Sequence, residues 1–287
     1  MRRIRRATVL THRRPVDTEP AVATLIELAR DAGVTLRFDP EETAKHELPD
    51  DPLVLRDAPV DPSVDLCFAL GGDGTILTAL RLHAGTGVPV FGINFGEMGF
   101  LATVDRDQAW AGTLRALAGD FEVLSLPGVE LVAPGCRGLA FNDVSIHRQQ
   151  GLRVADLEYS VGEDEVGRVR CDGLVISTPA GSTGYNLANG GPVMAWGVHG
   201  YVVSFISPHS LTARTLVVAP ADRLSIANRS QEEPVDLIVD GRPIGELQAG
   251  ARATTRFVID QGALAQLPGT TFYHRLRQKF GRLATPL

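Results

Sequence analysis

The first hundred residues alternate short apolar runs with segments of helical periodicity. Ala7–Thr11 predicts a strand, and Val22–Ala32 sets its apolar residues at helical spacing before Gly33 closes the segment. Val64–Leu70 and Val88–Ile93 predict two more strands, separated by the glycine turn 71–74 and a helix from Thr75 to about His83. Strand, glycine turn, helix and strand form a βαβ unit, which calls for a parallel sheet with helices outside it. Residues 39–63, rich in Pro and Asp, predict a loop with little regular structure.

Beyond Phe121 the pattern changes to short β-branched runs with turn residues between them. They recur at Val129–Ala133, Leu139–Ile146, Val154–Ser160, Leu174–Ser177, Tyr201–Ile206, Leu216–Val218, Arg223–Ala227, Val235–Val239 and Thr255–Ile259. Asp240-Gly241 after a strand suits a hairpin turn, because Asp-Gly tolerates the positive φ such turns need. Phe272–Phe280 reads as a final amphipathic helix. The expected fold is an α/β N-terminal domain with a parallel sheet plus a β-rich C-terminal domain.

Composition narrows the class. With 287 residues, 44% hydrophobic and 22% charged, the chain has room for two domains and a sizeable core. A formal net charge of −6 argues against nonspecific binding to nucleic acid or to an anionic membrane. The basic run Arg2, Arg3, Arg5 and Arg6 is not followed by the apolar stretch of about 7–15 residues that a secretory signal needs. No stretch approaches the roughly 18 apolar residues of a membrane span. Cys67, Cys136 and Cys171 are odd in number and lack paired metal-ligand spacing, so they read as reduced thiols of a cytoplasmic protein.

The richest segment is Leu66–Thr75, a buried strand running into Gly71, Gly72, Asp73 and Gly74 at a helix start. Glycines allow close backbone approach, and a helix N-terminus offers unpaired N–H groups to phosphate. Asp73 changes the reading. Two unit charges about 4 Å apart at an effective dielectric of ~20 repel by about 4 kcal/mol, so an acid is ill placed for phosphate binding alone. It becomes sensible if it accepts a proton from an attacking hydroxyl or faces a metal carried with the nucleotide. The plain alternative is that Asp73 caps the helix. A P-loop mechanism is excluded, because its lysine is missing and the chain holds only Lys45 and Lys279.

Three further segments carry candidate chemistry. Val90–Leu101 is a second strand ending in a glycine loop, with Phe100 and Leu101 as core candidates. Asn142-Asp143 sets an amide beside an acid, a pair that can donate to and accept from a vicinal diol; a polar strand edge is the alternative. Cys171–Asn186 delivers a loop of small residues and hydroxyls with one aromatic, Tyr185, that could wall a pocket for a flat base. A structural loop with a core tyrosine is the simpler reading there.

Gly71-Gly72-Asp73-Gly74-Thr75 resembles the signature of a kinase superfamily that includes NAD kinases, diacylglycerol and sphingoid lipid kinases and, more distantly, phosphofructokinases. The later segments single out one branch. Gly92–Leu101, the Asn142-Asp143 pair and Asp172–Tyr185 are similar in order and spacing to segments of bacterial NAD kinases, with Glu97, Asp143 and Gly184 as departures. Ser207–Arg214 also resembles a segment of that family; His209 and Arg214 read as architectural.

The resemblance implies transfer of a phosphoryl group from ATP to the 2′-hydroxyl of the adenosine ribose of NAD, giving NADP. It implies Asp73 as catalytic base and Gly72, Asp73, Gly74, Phe100, Asn142, Asp143, Asp172, Thr178, Ser182, Thr183, Gly184 and Tyr185 as NAD-binding residues. Gly71, Gly72, Gly74, Thr75 and Asn94 would bind the phosphates of ATP. Mg²⁺ would arrive with the nucleotide, without a direct protein ligand. The family further implies a homodimer or homotetramer, and NAD held between an α/β domain at 1–104 and a β-rich NAD-binding domain at 105–265. The C-terminal segment 266–287 would rejoin the first domain. A lipid or sphingoid kinase would share the first loop but leaves Asn142-Asp143 and Thr178–Tyr185 unexplained. A noncatalytic NAD(P) sensor would retain the pocket without turnover.

Overall fold

Arg6–Thr11 lies between Thr35–Arg37 and Leu66–Gly71 and runs parallel to both. Val54–Leu55 extends this ladder on one side and Val90–Asn94 on the other, again in parallel register. Every residue of Leu66–Gly71 and Val90–Asn94 is buried, as expected of central strands covered on both faces. Helices Glu19–Ala32, Asp73–Leu82 and Ala109–Leu117 cover them. Phe68 meets Phe91 edge-on across neighbouring strands, with ring centroids 5.8 Å apart. The structure, a computed structural model, describes residues 3–97 and 99–281. Arg2 of the basic run, Met98 of the second glycine segment and residues 282–287 of the expected C-terminal segment lie outside the described residues.

Two compact units divide the chain: Met1–Ser125 with Gln261–Leu287, and Leu126–Asp260. In the second unit, Leu216–Val218, Tyr201–Ile206, Gly173–Ser177, Asp143–Arg148, Val235–Val239 and Arg242–Leu247 form an antiparallel ladder in that order. Asp164–Cys171, Ala155–Val161, Arg223–Asn228 and the start of Arg252–Gln266 form a second. Alternate residues of both ladders, among them Ile146, Leu157, Leu174, Ile226 and Leu237, share one core.

The strand and helix expectations hold in outline, with instructive differences. Residues 39–63 are not a featureless loop, since they contain helix Pro40–Lys45 and strand Val54–Leu55. Asp39 accepts a hydrogen bond from Glu42 N (2.8 Å) and Pro40 opens the helix, so the residues read as a turn are its start signal. The run 139–146 is not one strand. It breaks into Cys136–Ala140 and Asp143–Arg148 around Phe141 and Asn142. The expected hairpin is present: Asp240 and Gly241 both have positive φ (46° and 73°) between directly paired Val239 and Arg242.

Candidate functional site

In the first unit the chemistry gathers on two adjoining loops. Helix Asp73–Leu82 is capped by Gly72, with no side-chain capping bond. Asp73 is therefore not the cap. Its carboxylate reaches instead to the second glycine loop, where Phe100 N–H donates to Oδ2 (3.0 Å) and Leu101 N–H donates to Oδ1 (2.9 Å). Phe95 N–H donates to Gly71 O (3.1 Å), tying the same loops a second time. A Cβ on Gly96 would stand 3.2 Å from the Gly72 Cα, so the two backbones pass at close range.

Asn94, the expected phosphate ligand, is buried and structurally engaged. Gly96 N–H donates to its Oδ1 (3.0 Å), and its Nδ2 donates to Asp105 Oδ1 (2.9 Å). Gly99, at φ 56°, occupies the remaining room, for a Cβ there would lie 2.2 Å from Asn94 Nδ2. Asp105 also receives Lys279 Nζ at 2.8 Å and 3.1 Å. Burial alone would raise this carboxyl, but hydrogen bonds from Lys279 and Asn94 hold it below the usual carboxylate range.

Arg275, on helix Phe272–Phe280, supports the second loop from behind. It is only 5% exposed, donates to Phe100 O (2.8 Å) and Ala102 O, and meets Gln266 Oε1 at 2.9 Å. Burial lowers its pKa to about 10, partly offset by Asp73 and Asp105, so it stays charged at neutral pH. Phe272 and Phe280 of the same helix flank the Phe100 ring at 6.0 Å and 5.9 Å. The aromatic ring of Phe100 is thus buried core, while its backbone N–H grips Asp73.

In the second unit the break at Phe141 and Asn142 has a single cause. Asp240 accepts three backbone N–H groups, from Phe141 (3.1 Å), Asn142 (2.8 Å) and Asp143 (3.2 Å). Those bonds hold Phe141 and Asn142 out of the sheet ladder and form a corner just before Asp143–Arg148 resumes it. Thr178 Oγ1 donates to Phe141 O (2.6 Å) and Thr178 N–H to Asn142 O (2.9 Å), closing it from the other side. Gly181 is required there, because a Cβ would fall 2.1 Å from Asn142 O. At the corner, Asn142 Oδ1 is buried without a partner. Asp143 is 8% exposed, and burial, reinforced by the charge of Asp240, pushes its carboxyl up to about 7.

The loop after Gly173–Ser177 splits into a frame and a face. Thr178 and Ser182 are fully buried; the Ser182 hydroxyl donates to Pro179 O (2.7 Å) and accepts from Met194 N–H (2.8 Å). Thr183 is half-buried, and Gly184 and Tyr185 are exposed. Tyr185 stacks on His147, with centroids 5.7 Å apart and planes 11° from parallel. Asp172 is held below the usual carboxylate range by its hydrogen bond from Arg148. The structure therefore brings Asn142, Asp143 and Thr178–Tyr185 together, and separately joins Gly71–Thr75 to Asn94–Leu101.

Sequence reasoning passed over Asp240, Arg275, Asp105 and Lys279. Asp240 was legible only as a hairpin residue; its clasp on Phe141 follows from Val235–Val239 pairing with Asp143–Arg148, a non-local fact. The sole local signals for the others are charges at buried positions of short amphipathic segments.

A glycine loop closed on a carboxylate in an α/β unit, and a β-rich unit bearing a polar amide–acid corner, are the two units of a two-domain kinase architecture. The chain belongs to the ATP-NAD kinase family: residues 13–121 match its N-terminal domain and residues 141–257 its C-terminal domain. It is 34% identical over 286 residues to the NAD kinase of Gemmatimonas aurantiaca, covering 96% of each chain. It is 36% identical over 253 residues to that of Symbiobacterium thermophilum, covering 86% of this chain and 89% of the relative. The fold is shared with yeast NADH kinase, solved in complex with NADH (TM-score 0.86, 21% identity, covering 100% of this chain and 90% of that one).

Proposed function

We propose that this protein is an NAD kinase that transfers the terminal phosphoryl group of ATP to the 2′-hydroxyl of the adenosine ribose of NAD. The observation that carries this reading is the two-point hold on Asp73. Each carboxylate oxygen accepts one backbone N–H, which leaves further lone pairs free to receive the hydroxyl proton. As that proton moves to Asp73, the ribose oxygen bonds to the terminal phosphorus, the bond to the bridging oxygen breaks, and ADP departs. The Thr75 N–H is taken up by Gly72 O (3.0 Å), so the N–H groups of Gly72, Asp73 and Gly74 are the ones that face the phosphates and stabilise the developing charge. Asn142 and Asp143 orient the ribose diol. The exposed face formed by Thr183, Gly184 and Tyr185 contacts a base.

A divalent ion, Mg²⁺, is expected with the triphosphate. Among the described residues no cluster of three His, Cys, Asp or Glu side chains is arranged around one point, and both oxygens of Asp73 already take an N–H. An ion carried by the triphosphate would neutralise the charge on its phosphates. The free cysteines Cys67, Cys136 and Cys171 support a reducing, cytoplasmic setting, and light scattering tests self-association into a dimer or tetramer.

Incubation of the protein with NAD, ATP and Mg²⁺ is expected to yield NADP, with no phosphorylation of diacylglycerol or a sphingoid base offered in parallel. Retention of NADP without turnover across donors and metals would instead identify a sensor.

A further inference from the structure

Arg223 stands directly opposite Arg256 on the antiparallel pair Arg223–Asn228 and Arg252–Gln266. Opposed residues have Cβ atoms about 4.5–5.5 Å apart, where like charges destabilise a sheet. Arg256 is compensated, because its guanidinium and that of Arg137 both donate to Glu130, which is 8% exposed. The Arg223 guanidinium is left without an ion-pair partner among the described residues. Arg137, Arg223, Arg256, Glu130, Thr254 and Thr255 line a cavity of about 330 Å³. Three arginines against one glutamate leave two positive charges there, on a chain whose net charge is −6. General basicity therefore does not account for the cluster.

We propose that this cavity binds a small phosphate oxyanion that bridges Arg223 and Arg256. Guanidinium forks pair with such oxygens in bidentate fashion, and the cross-strand spacing lets one tetrahedral anion face both. The Thr254 hydroxyl supplies a further donor at the rim. The anion converts a repulsive cross-strand pair into two attractive contacts, and binding to the folded state alone raises the unfolding temperature by mass action. None of these residues belongs to the loops assigned to phosphoryl transfer, so the site stands apart from that reading.

Titration of the full-length protein with sodium phosphate, and separately with pyrophosphate, tests the site at ionic strength held constant with sodium chloride. Calorimetry is expected to show saturable binding of at least one of the two, with a rise of several degrees in unfolding temperature. Arg223→Gln is expected to weaken that binding at least tenfold and to leave the rate of NADP formation within twofold. If Arg223→Gln does not fold, Arg223→Lys serves as the variant, keeping the charge, losing the fork and weakening binding several-fold. No response beyond chloride in the wild type overturns the proposal. Equal affinity in the variant also overturns it, because the anion then occupies another site such as the Gly71–Thr75 turn.

Discussion

Burial of Asp143 gives the proposed ribose corner its own pH dependence. Its carboxyl is raised to about 7 in the folded protein, above the ordinary carboxylate value. The fold thus holds this proton more tightly than the unfolded chain does. The stability it contributes is complete at pH below about 4 and is lost as pH climbs through about 7. Asp143→Asn is expected to flatten that decline and to raise the unfolding midpoint at pH 8 by a few degrees. Binding follows the opposite course. The ionised carboxylate accepts hydroxyl protons, so KM for NAD should fall severalfold between pH 6 and 8 in the wild type and stay level in the variant. At Asp73 the expected loss is in kcat. Asp73→Asn keeps one acceptor for the N–H groups of Phe100 and Leu101 but turns an NH₂ toward the other, costing roughly 1–2 kcal/mol of stability. Turnover should drop about 10²–10⁴-fold with KM for NAD little changed; near-normal kcat would reduce this carboxylate to a loop clasp.

At the scale of elements, helix Phe272–Phe280 acts through the loop it supports. Arg275 holds the carbonyls of Phe100 and Ala102, whose peptide neighbours hold Asp73. Arg275→Met leaves two buried carbonyls without their donor and is expected to cost roughly 2–4 kcal/mol, read by denaturant unfolding. Steady-state kinetics should then show kcat falling more than KM rises, because the displaced group is Asp73 rather than a substrate contact. Gly99→Ala combines a positive φ with a collision at Asn94 and should destabilise the same loop by about 2 kcal/mol or more, again visible in denaturant curves. Much of this architecture was legible beforehand: the βαβ unit, the glycine loops, most strands of the second unit and the Asp240-Gly241 turn all announce themselves by local pattern. The run 139–146 misled because it is apolar at both ends and holds no Gly or Pro between Leu139 and Ile146 to mark a break; a carboxylate about a hundred residues later interrupts the ladder. The Pro- and Asp-rich stretch 39–63 misled for the opposite reason, since a helix cap and a turn use the same residues.

At the scale of the molecule, Arg252–Gln266 is one strand of 15 residues that belongs to both units. Its beginning pairs with Arg223–Ala227, and Leu264 near its end pairs with Val90. Where the units divide, Asp260 takes a φ of 55°, a conformation unfavourable to β-branched residues. Asp260→Val is expected to lower the unfolding midpoint by a few degrees in a thermal scan. The clasp made by Asp240 also has a consequence in time. Asp143 N–H and its acceptor are separated by 97 residues, and Thr103 and Ala265, joined by a hydroxyl–carbonyl bond, by 162. A ribosome adding roughly 5–20 residues per second exposes the unclasped corner for about 5–20 s before its aspartate is even synthesised. Neither unit can close its framework cotranslationally from the front; each waits on residues synthesised after position 239.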